Sequence, residues 1–193
     1  MENKTISVVL VGVGGQGILL GSEIVARAAM HAGFDVKTNE VHGMAQRGGS
    51  VVAQIRYGKQ VHSPLVSPGT ARVLGSFEQI EAIRFAHYLA DDGLAVVSSQ
   101  MIVPVTVSMG ASQYPKDTED RLRTTFSKLI YMDASKIALG LGNIKTANVV
   151  ILGAMSRGLD LPVESWREAI ASSVAEKFRD INLKAFEAGR AST

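Results

Sequence analysis

Four glycines fall within six residues near the start of the chain, in the stretch VVLVGVGGQG at residues 8–17. Glycine permits positive φ angles and lets another group approach the backbone closely. A loop of this kind before a helix presents free N–H groups and the positive end of the helix dipole, which suit a phosphate. A tight turn with close helix–strand packing needs the same residues, so both interpretations stay open. The candidate ligand-binding residues here are Gly12, Gly14, Gly15, Gln16 and Gly17.

The segments on either side of this loop fit a strand that turns into a helix. Thr5–Val11 reads TISVVLV, which is apolar and rich in β-branched residues. Ile18–Ala32 has helix-forming residues, and Gly33 then supplies a helix stop. The loop is therefore expected at the carboxyl end of the first strand, where ligands bind in open α/β sheets.

The spacing of these glycines also matches the G-x-G-x-x-G pattern of dinucleotide-binding folds. That pattern requires an acidic residue at the carboxyl end of the second strand, about 20 residues further on. In the predicted second strand, Phe34–Val41, Asp35 lies near the start and Glu40 lies beyond the usual offset. The sequence therefore disfavours NAD, and a nucleotide-dependent dehydrogenase is retained only as an alternative.

A second unusual loop, EVHGMAQRGGS, occupies residues 40–50. Arg47 precedes Gly48 and Gly49, so a planar guanidinium stands beside accessible backbone N–H groups. This combination suits a phosphate or a carboxylate. We expect the loop to emerge at the same sheet edge as the glycine loop, so that the two line one cleft.

The spacing of the predicted strands indicates the fold class. Too few residues separate Phe34–Val41 from the next strand, Val51–Tyr57, for a crossover helix, so this pair is expected to be antiparallel. Further along the chain, strands alternate with helices, which predicts parallel pairing. The expected fold is an α/β, three-layer Rossmann-like sheet, mostly parallel with at least one antiparallel pair, in a single domain over residues 1–193.

Several downstream elements are specific enough to be compared with a structure. Ala71–Ser76 and Leu94–Ser98 are predicted strands on either side of a helix over Phe77–Ala90. Met101–Ser108 is predicted as an edge strand because Pro104 interrupts it. The remaining chain is predicted to be mainly helical, and it carries an apolar stripe at helical spacing that favours a core face. The stripe consists of Trp166, Ile170, Val174 and Phe178.

Composition excludes several functions. The 193 residues include 20 Lys and Arg against 18 Asp and Glu, a balance that does not predict nucleic-acid binding. There is no cysteine, so this chain cannot ligate an iron–sulfur cluster or form a thiolate zinc site, and its histidines lack metal-ligand spacing. With no apolar run approaching ~18 residues and no targeting pattern, we expect no membrane contact and a cytoplasmic location.

The two loops together resemble a known family. GVGGQGILLGSEIVARAA followed by VHGMAQRGGSVVAQIRYG is similar to the gamma domain of the 2-oxoacid:ferredoxin oxidoreductases, in particular the small subunit of the indolepyruvate-type enzymes. The resemblance extends over most of the chain, including NVVILGAM and the closing helices. The combination of both loops is more specific than a glycine pattern alone.

This resemblance implies a subunit of an enzyme that oxidatively decarboxylates an aryl 2-oxoacid to an acyl-coenzyme A and reduces ferredoxin. It implies thiamine diphosphate and iron–sulfur clusters on a larger partner subunit, ferredoxin reached through the complex, and no catalytic residue, metal or activity in this chain alone. A homodimer of the isolated chain stays open. The matching residues are implied to contact coenzyme A or the partner chain: Gly12, Gly14, Gly15, Gln16, Gly17, Arg47, Gly48 and Gly49.

Besides the dehydrogenase, a second alternative is an α/β regulatory domain that senses a phosphorylated small molecule. Such a domain would bind its ligand at the same glycine loop but would have no electron-transfer partner. Association with a chain that carries thiamine and clusters would distinguish the enzyme subunit from both alternatives.

Overall fold

The computed structural model describes residues 5–43, 48–103, 107 and 113–192. Within these ranges, six strands form one sheet with helices on both faces. The strands are β1 (Ile6–Val13), β2 (Asp35–His42), β3 (Ser50–Gly58), β4 (Ala71–Ser76), β5 (Leu89–Ser98) and β6 (Leu129–Met132). The α-helices are α1 (Ile18–His31), α2 (Gln79–Arg84), α3 (Thr118–Thr125), α4 (Ala134–Gly140), α5 (Ala147–Met155), α6 (Val163–Ser173) and α7 (Arg179–Ala191).

The strand order in the sheet is β2-β3-β1-β4-β5-β6. β1 pairs in parallel with β4, and the parallel series continues through β5 to β6. On its other side β1 pairs antiparallel with β3, and β3 pairs antiparallel with β2. The predicted fold class and the predicted antiparallel pair are therefore confirmed.

Two apolar layers cover the sheet. One joins alternate residues of β1, such as Val8 and Leu10, to α1, α4, α5, α6 and α7. The other joins the intervening residues, Val9 and Val11, to α2 and α3. Because successive side chains of a strand point to opposite faces, the continuous apolar run of β1 fills both layers. β1 therefore lies in the middle of the core.

The prediction of a helix over Phe77–Ala90 is wrong in length. The buried Glu78 begins α2 by accepting the N–H groups of Ile80 and Glu81 through its side chain, and the helix ends at Arg84. A short 3₁₀ turn follows, and β5 begins at Leu89 rather than at Leu94. Pairing of Leu89 with Ala71 extends the strand past the predicted start, with a register shift between the two paired stretches. In the predicted edge strand Met101–Ser108, residues 101–103 are not in a strand, and residues 104–106 and 108 lie outside the described residues.

The predicted apolar stripe of the last helical segment is half right. Trp166 and Ile170 are fully buried on α6. α6 ends at Ser173, and Val174 is extended, so the last two members of the stripe do not continue its face. Phe178 is 42% exposed as a result. The segment is divided into two helices, α6 and α7.

α5 forms the centre of the helical layer and crosses α7 at two glycines. A Cβ added to Gly189 would lie 1.9 Å from the carbonyl oxygen of Val150, and one added to Gly153 would lie 2.1 Å from that of Phe186. Side chains cannot be accommodated at such distances without separating the helices. The small residues therefore determine how closely α7 holds α5 against the sheet.

We predict that Gly189→Ala lowers the free energy of unfolding by roughly 1–3 kcal/mol, because the added methyl group overpacks the α5–α7 contact. Gly140→Ala at the end of α4 is the matched control, since a Cβ there meets nothing within 4 Å. Urea unfolding followed by circular dichroism measures both. Equal midpoints for the two variants would contradict the packing argument.

Candidate functional site: a cleft at the carboxyl edge of the sheet

The glycine loop joins β1 to α1 at the carboxyl edge of the parallel strands. Gly15 and Gly17 have φ angles of 104° and 80°, in the region that favours glycine. Gly17 is the residue before α1, and its carbonyl accepts the N–H of Gly21 as the first bond of the helix. The N–H groups of the first helical turn have no partner within the helix. No acidic residue stands in that turn to occupy them.

The side chain of Gln16 holds the loop in shape. Its Oε1 accepts the N–H of Val13 at 2.7 Å. Its Nε2 donates to the carbonyl of Phe77 at 2.6 Å and to Oε1 of Gln100 at 3.1 Å. Gln16 therefore connects the end of β1 to the segments that follow β4 and β5, and three strand ends are fixed relative to one another.

Gly12 has a different environment from the other loop glycines. It is buried near the carboxyl end of β1, and a Cβ there would lie 2.7 Å from Oε1 of Gln16 and 3.1 Å from Cβ of Phe77. Close packing explains a glycine at this position. Gly14, Gly15 and Gly17 instead line open space together with Gln16.

That open space is a cleft of about 560 Å³. The loop forms one wall, and the ends of β4 and β5 contribute Phe77, Ser98 and Gln100. The opposite wall consists of the starts of α4 and α5, with the turn before α5. The lining residues on that wall are Ala134, Ser135, Ile144, Lys145, Ala147, Asn148 and Ile151.

Charge in the cleft is of one sign. Among the described residues that line it, Lys145 is the only ionisable side chain, and it is exposed. It stands in the 3₁₀ turn Ile144–Thr146, where the side chain of Asn143 accepts its N–H. A lysine ammonium opposite the free N–H groups of a helix start favours an anionic group between them. Apolar residues on both walls suit a ligand with an uncharged portion as well.

Asn148 joins the two walls. It is 6% exposed, and its Nδ2 lies 3.4 Å from the carbonyl oxygen of Gly17. A Cβ at Gly17 would approach this Nδ2 to 2.6 Å. Gly17 is therefore required for its φ angle and for the close approach of α5.

The second loop meets the first at a backbone hydrogen bond. The N–H of Gly14 donates to the carbonyl of Gly49 at 2.8 Å, so the predicted proximity of the two loops is confirmed. Gly48 and Gly49 do not line the described part of the cleft, which is bounded instead by α4 and α5. Arg47, the predicted cation, lies outside the described residues.

Two buried carboxylates lie at the start of α2, Glu78 just before the helix and Glu81 in its first turn. Glu78 is 2% exposed and accepts the hydroxyl of Tyr114 at 2.7 Å as well as the helix N–H groups. Glu81 is 5% exposed and accepts the hydroxyl of Ser50, the first residue of β3. Arg84 approaches the other oxygen of Glu81 at 3.4 Å. These bonds tie α2 both to β3 and to the segment near Tyr114.

Sequence reasoning identified the glycine loop but missed the opposite wall. Lys145 and Asn148 are more than 120 residues away from the loop, and nothing in their local pattern indicates a ligand. No group of three or more His, Asp or Glu among residues 5–43, 48–103 and 113–192 is placed to hold a metal ion. In the same ranges no helix is long and apolar enough to cross a membrane.

The chain folds as an open α/β domain with a cleft at the carboxyl edge of its parallel strands. The chain belongs to the pyruvate ferredoxin/flavodoxin oxidoreductase family, whose model matches residues 7–192. This confirms the resemblance based on the two loops.

Relatives and solved structures agree with this assignment. The chain is 43% identical to the indolepyruvate oxidoreductase subunit IorB of Thermococcus kodakarensis, over 96% of this chain and 95% of that protein. It shares its fold with a keto/oxoacid ferredoxin oxidoreductase gamma subunit from Geobacter sulfurreducens, at 22% identity, TM-score 0.71 and 97% coverage of both chains. It also superposes on 31% of the 2-oxoglutarate:ferredoxin oxidoreductase chain from Magnetococcus marinus, at 20% identity and TM-score 0.74, over 99% of this chain.

Burial raises the pKa of the Glu81 carboxyl above its ordinary value, against the opposing effects of Ser50 and Arg84, and the charge of Glu78 adds to the rise. The folded chain therefore binds a proton at the Glu81 carboxyl more tightly than the unfolded chain does. The contribution of Glu81 to stability therefore falls as the pH rises from the unfolded pKa through the folded one. Glu81→Gln removes this loss of stability at high pH, and its side-chain oxygen can still accept the Ser50 hydroxyl.

We predict that the melting temperature of Glu81→Gln relative to wild type increases with pH across this window and is highest above it. Thermal unfolding from about pH 4 to about pH 8 measures the trend. Glu23→Gln, at an exposed carboxylate paired with Arg27, is the control. A Glu81→Gln variant that loses the same stability at every pH would show that the carboxylate charge carries no penalty in the folded protein.

Proposed function

We propose that this chain is the small subunit of an indolepyruvate-type 2-oxoacid:ferredoxin oxidoreductase. The observation that carries the proposal is 43% identity, over nearly the whole of both chains, to a protein named as an indolepyruvate oxidoreductase subunit. Neither alternative, a dehydrogenase or a sensor of phosphorylated ligands, is favoured by these relatives. The chain is proposed to act as one domain over residues 1–193 and to be inactive alone.

In this proposal the complex converts an aryl 2-oxoacid and coenzyme A to an acyl-coenzyme A and carbon dioxide, and two electrons pass to ferredoxin. Thiamine diphosphate and the iron–sulfur clusters belong to a larger partner subunit. The lack of cysteine agrees with this division, because cluster ligation requires thiolates that this chain cannot supply. Ferredoxin is reached through the complex.

The cleft is proposed to bind part of coenzyme A. The N–H groups at the glycine loop and the ammonium of Lys145 suit a phosphate, and the apolar walls suit the pantetheine arm. The resemblance also implicates Arg47, which precedes Gly48 and Gly49 in the sequence and would supply a second cation. In this assignment Gly14, Gly15, Gln16 and Gly17 shape the phosphate side of the cleft, and Gly12 supports them by packing.

The subunit assignment is tested by anaerobic affinity purification of this chain from its own cells. We expect a larger, brown partner that carries thiamine diphosphate and clusters, and dye reduction that depends on both indolepyruvate and coenzyme A. A solitary, colourless chain, or a complex that reduces the dye with NAD-linked substrates instead, would contradict the proposal.

The coenzyme A assignment predicts that Lys145→Ala in the assembled complex raises the KM for coenzyme A roughly threefold to tenfold, with little change in kcat. The loss is modest because the ammonium is exposed to solvent. Steady-state kinetics at saturating 2-oxoacid measures it, and Lys145→Arg is expected to retain most of the affinity.

The matched control is Lys136→Ala, an exposed lysine on α4 outside the cleft lining. Its KM for coenzyme A is expected to equal that of the wild type. Equal KM values for the Lys145 and Lys136 variants would remove the phosphate role from the cleft. They would leave the subunit assignment, which the purification tests, intact.

A further inference from the structure

The bond between Ser50 and Glu81 joins β3 to α2 at the base of the second loop. Ser50 begins β3 directly after Gly49, and its carbonyl accepts the N–H of Gly43 at 3.1 Å, which closes the neck of that loop. Its hydroxyl donates to the Glu81 carboxylate. The end of the loop is thus held to α2 by a side chain and to its own beginning by the backbone.

One residue earlier, the same segment holds the glycine loop. The carbonyl of Gly49 accepts the N–H of Gly14, and Ser50 pairs with Val13 in the β1–β3 register. The residue that bonds Glu81, Ser50, and the residue that bonds Gly14, Gly49, are therefore adjacent in the backbone. A shift at Ser50 is transmitted to Gly14 through a single peptide unit and one hydrogen bond.

Burying the Glu81 carboxylate costs free energy that a purely structural contact would not require. The residue is 5% exposed, and burying a charge costs stability unless the charge is well bonded. Its partners are the Ser50 hydroxyl, at the loop, and Arg84, whose side chain is 55% exposed. The Ser50 hydroxyl is therefore the less exposed of the two partners, and Arg84 lies at the surface.

We propose that Ser50 and Glu81 are positioning residues for the cleft, which fix Gly49 against Gly14 and so set the position of the glycine loop that lines the cleft. The inference rests on the proposed function for what the cleft binds, but the positioning itself concerns only this chain. Neither side chain lines the cleft, so both act through the Gly49–Gly14 contact.

The positioning is tested by hydrogen exchange in the isolated full chain with two isosteric variants. Ser50→Thr keeps the hydroxyl and Ser50→Val replaces it with a methyl group, so the pair differs only in the bond to Glu81. We expect faster exchange in peptides covering Gly14–Gly17 for Ser50→Val than for Ser50→Thr, with unchanged exchange in α7. Equal exchange in the two variants, or an increase spread over the whole chain, would overturn the inference.

The consequence for the site is tested in the assembled complex with the same pair and with Lys145→Ala. We expect Ser50→Val to raise the KM for coenzyme A several-fold at nearly constant kcat, and Ser50→Thr to restore the wild-type value. If Lys145→Ala raises the KM and Ser50→Val does not, the positioning role is wrong and the coenzyme A site stands. If neither variant changes the KM, the coenzyme A site itself fails and this inference about the cleft falls with it.

Discussion

The placement of the cleft depends on the two different pairings of β1. A strand that runs antiparallel to β1 begins where β1 ends, so β3 brings the loop before it to the glycine loop. A strand that runs parallel to β1 ends where β1 ends, so β4 brings Phe77 to the same edge. Because β1 pairs in parallel with β4 and antiparallel with β3, loops from three parts of the chain meet at its carboxyl end.

Hydrogen bonds then fix these loops relative to one another. The amide of Gln16 joins Val13, Phe77 and Gln100, and the Gly14 N–H joins the second loop. The groups that these bonds leave unused are the N–H donors of the first turn of α1. They lie opposite Lys145, with no acidic side chain among the described lining residues to compete for them. The described lining of the cleft therefore favours recognition of an anion.

The sequence was sufficient for the features whose cause is local. A β-branched run followed by glycines gives β1 and its turn, and a connection too short for a helix requires the β2–β3 pair to be antiparallel. Two other expectations failed because tertiary bonds decided them. Glu78 begins α2 later than the apolar spacing implies, and pairing with Ala71 draws Leu89 into β5. The helix predicted over Phe77–Ala90 is shortened at both ends for these reasons.

The candidate site was half predictable for the same reason. Gly15 and Gly17 could be predicted because few other residues tolerate their positive φ angles. Lys145 and Asn148 belong to the cleft only because α5 packs against the sheet beside α1, a contact between residues distant in sequence. The glycines at the α5–α7 crossing contribute to that placement from outside the site. A long-range packing arrangement of this kind leaves no local pattern around a lysine or an asparagine.

We propose that the backbone N–H groups of the first turn of α1 bind coenzyme A in the assembled enzyme. Hydrogen exchange of the anaerobic complex, with and without saturating coenzyme A, measures this binding. We expect slower exchange with coenzyme A in peptides covering Gly14–Leu20 and Ile144–Asn148, and no change in the edge strand β2. Unchanged exchange at both segments, in a complex whose turnover requires coenzyme A, would contradict it and place the ligand elsewhere.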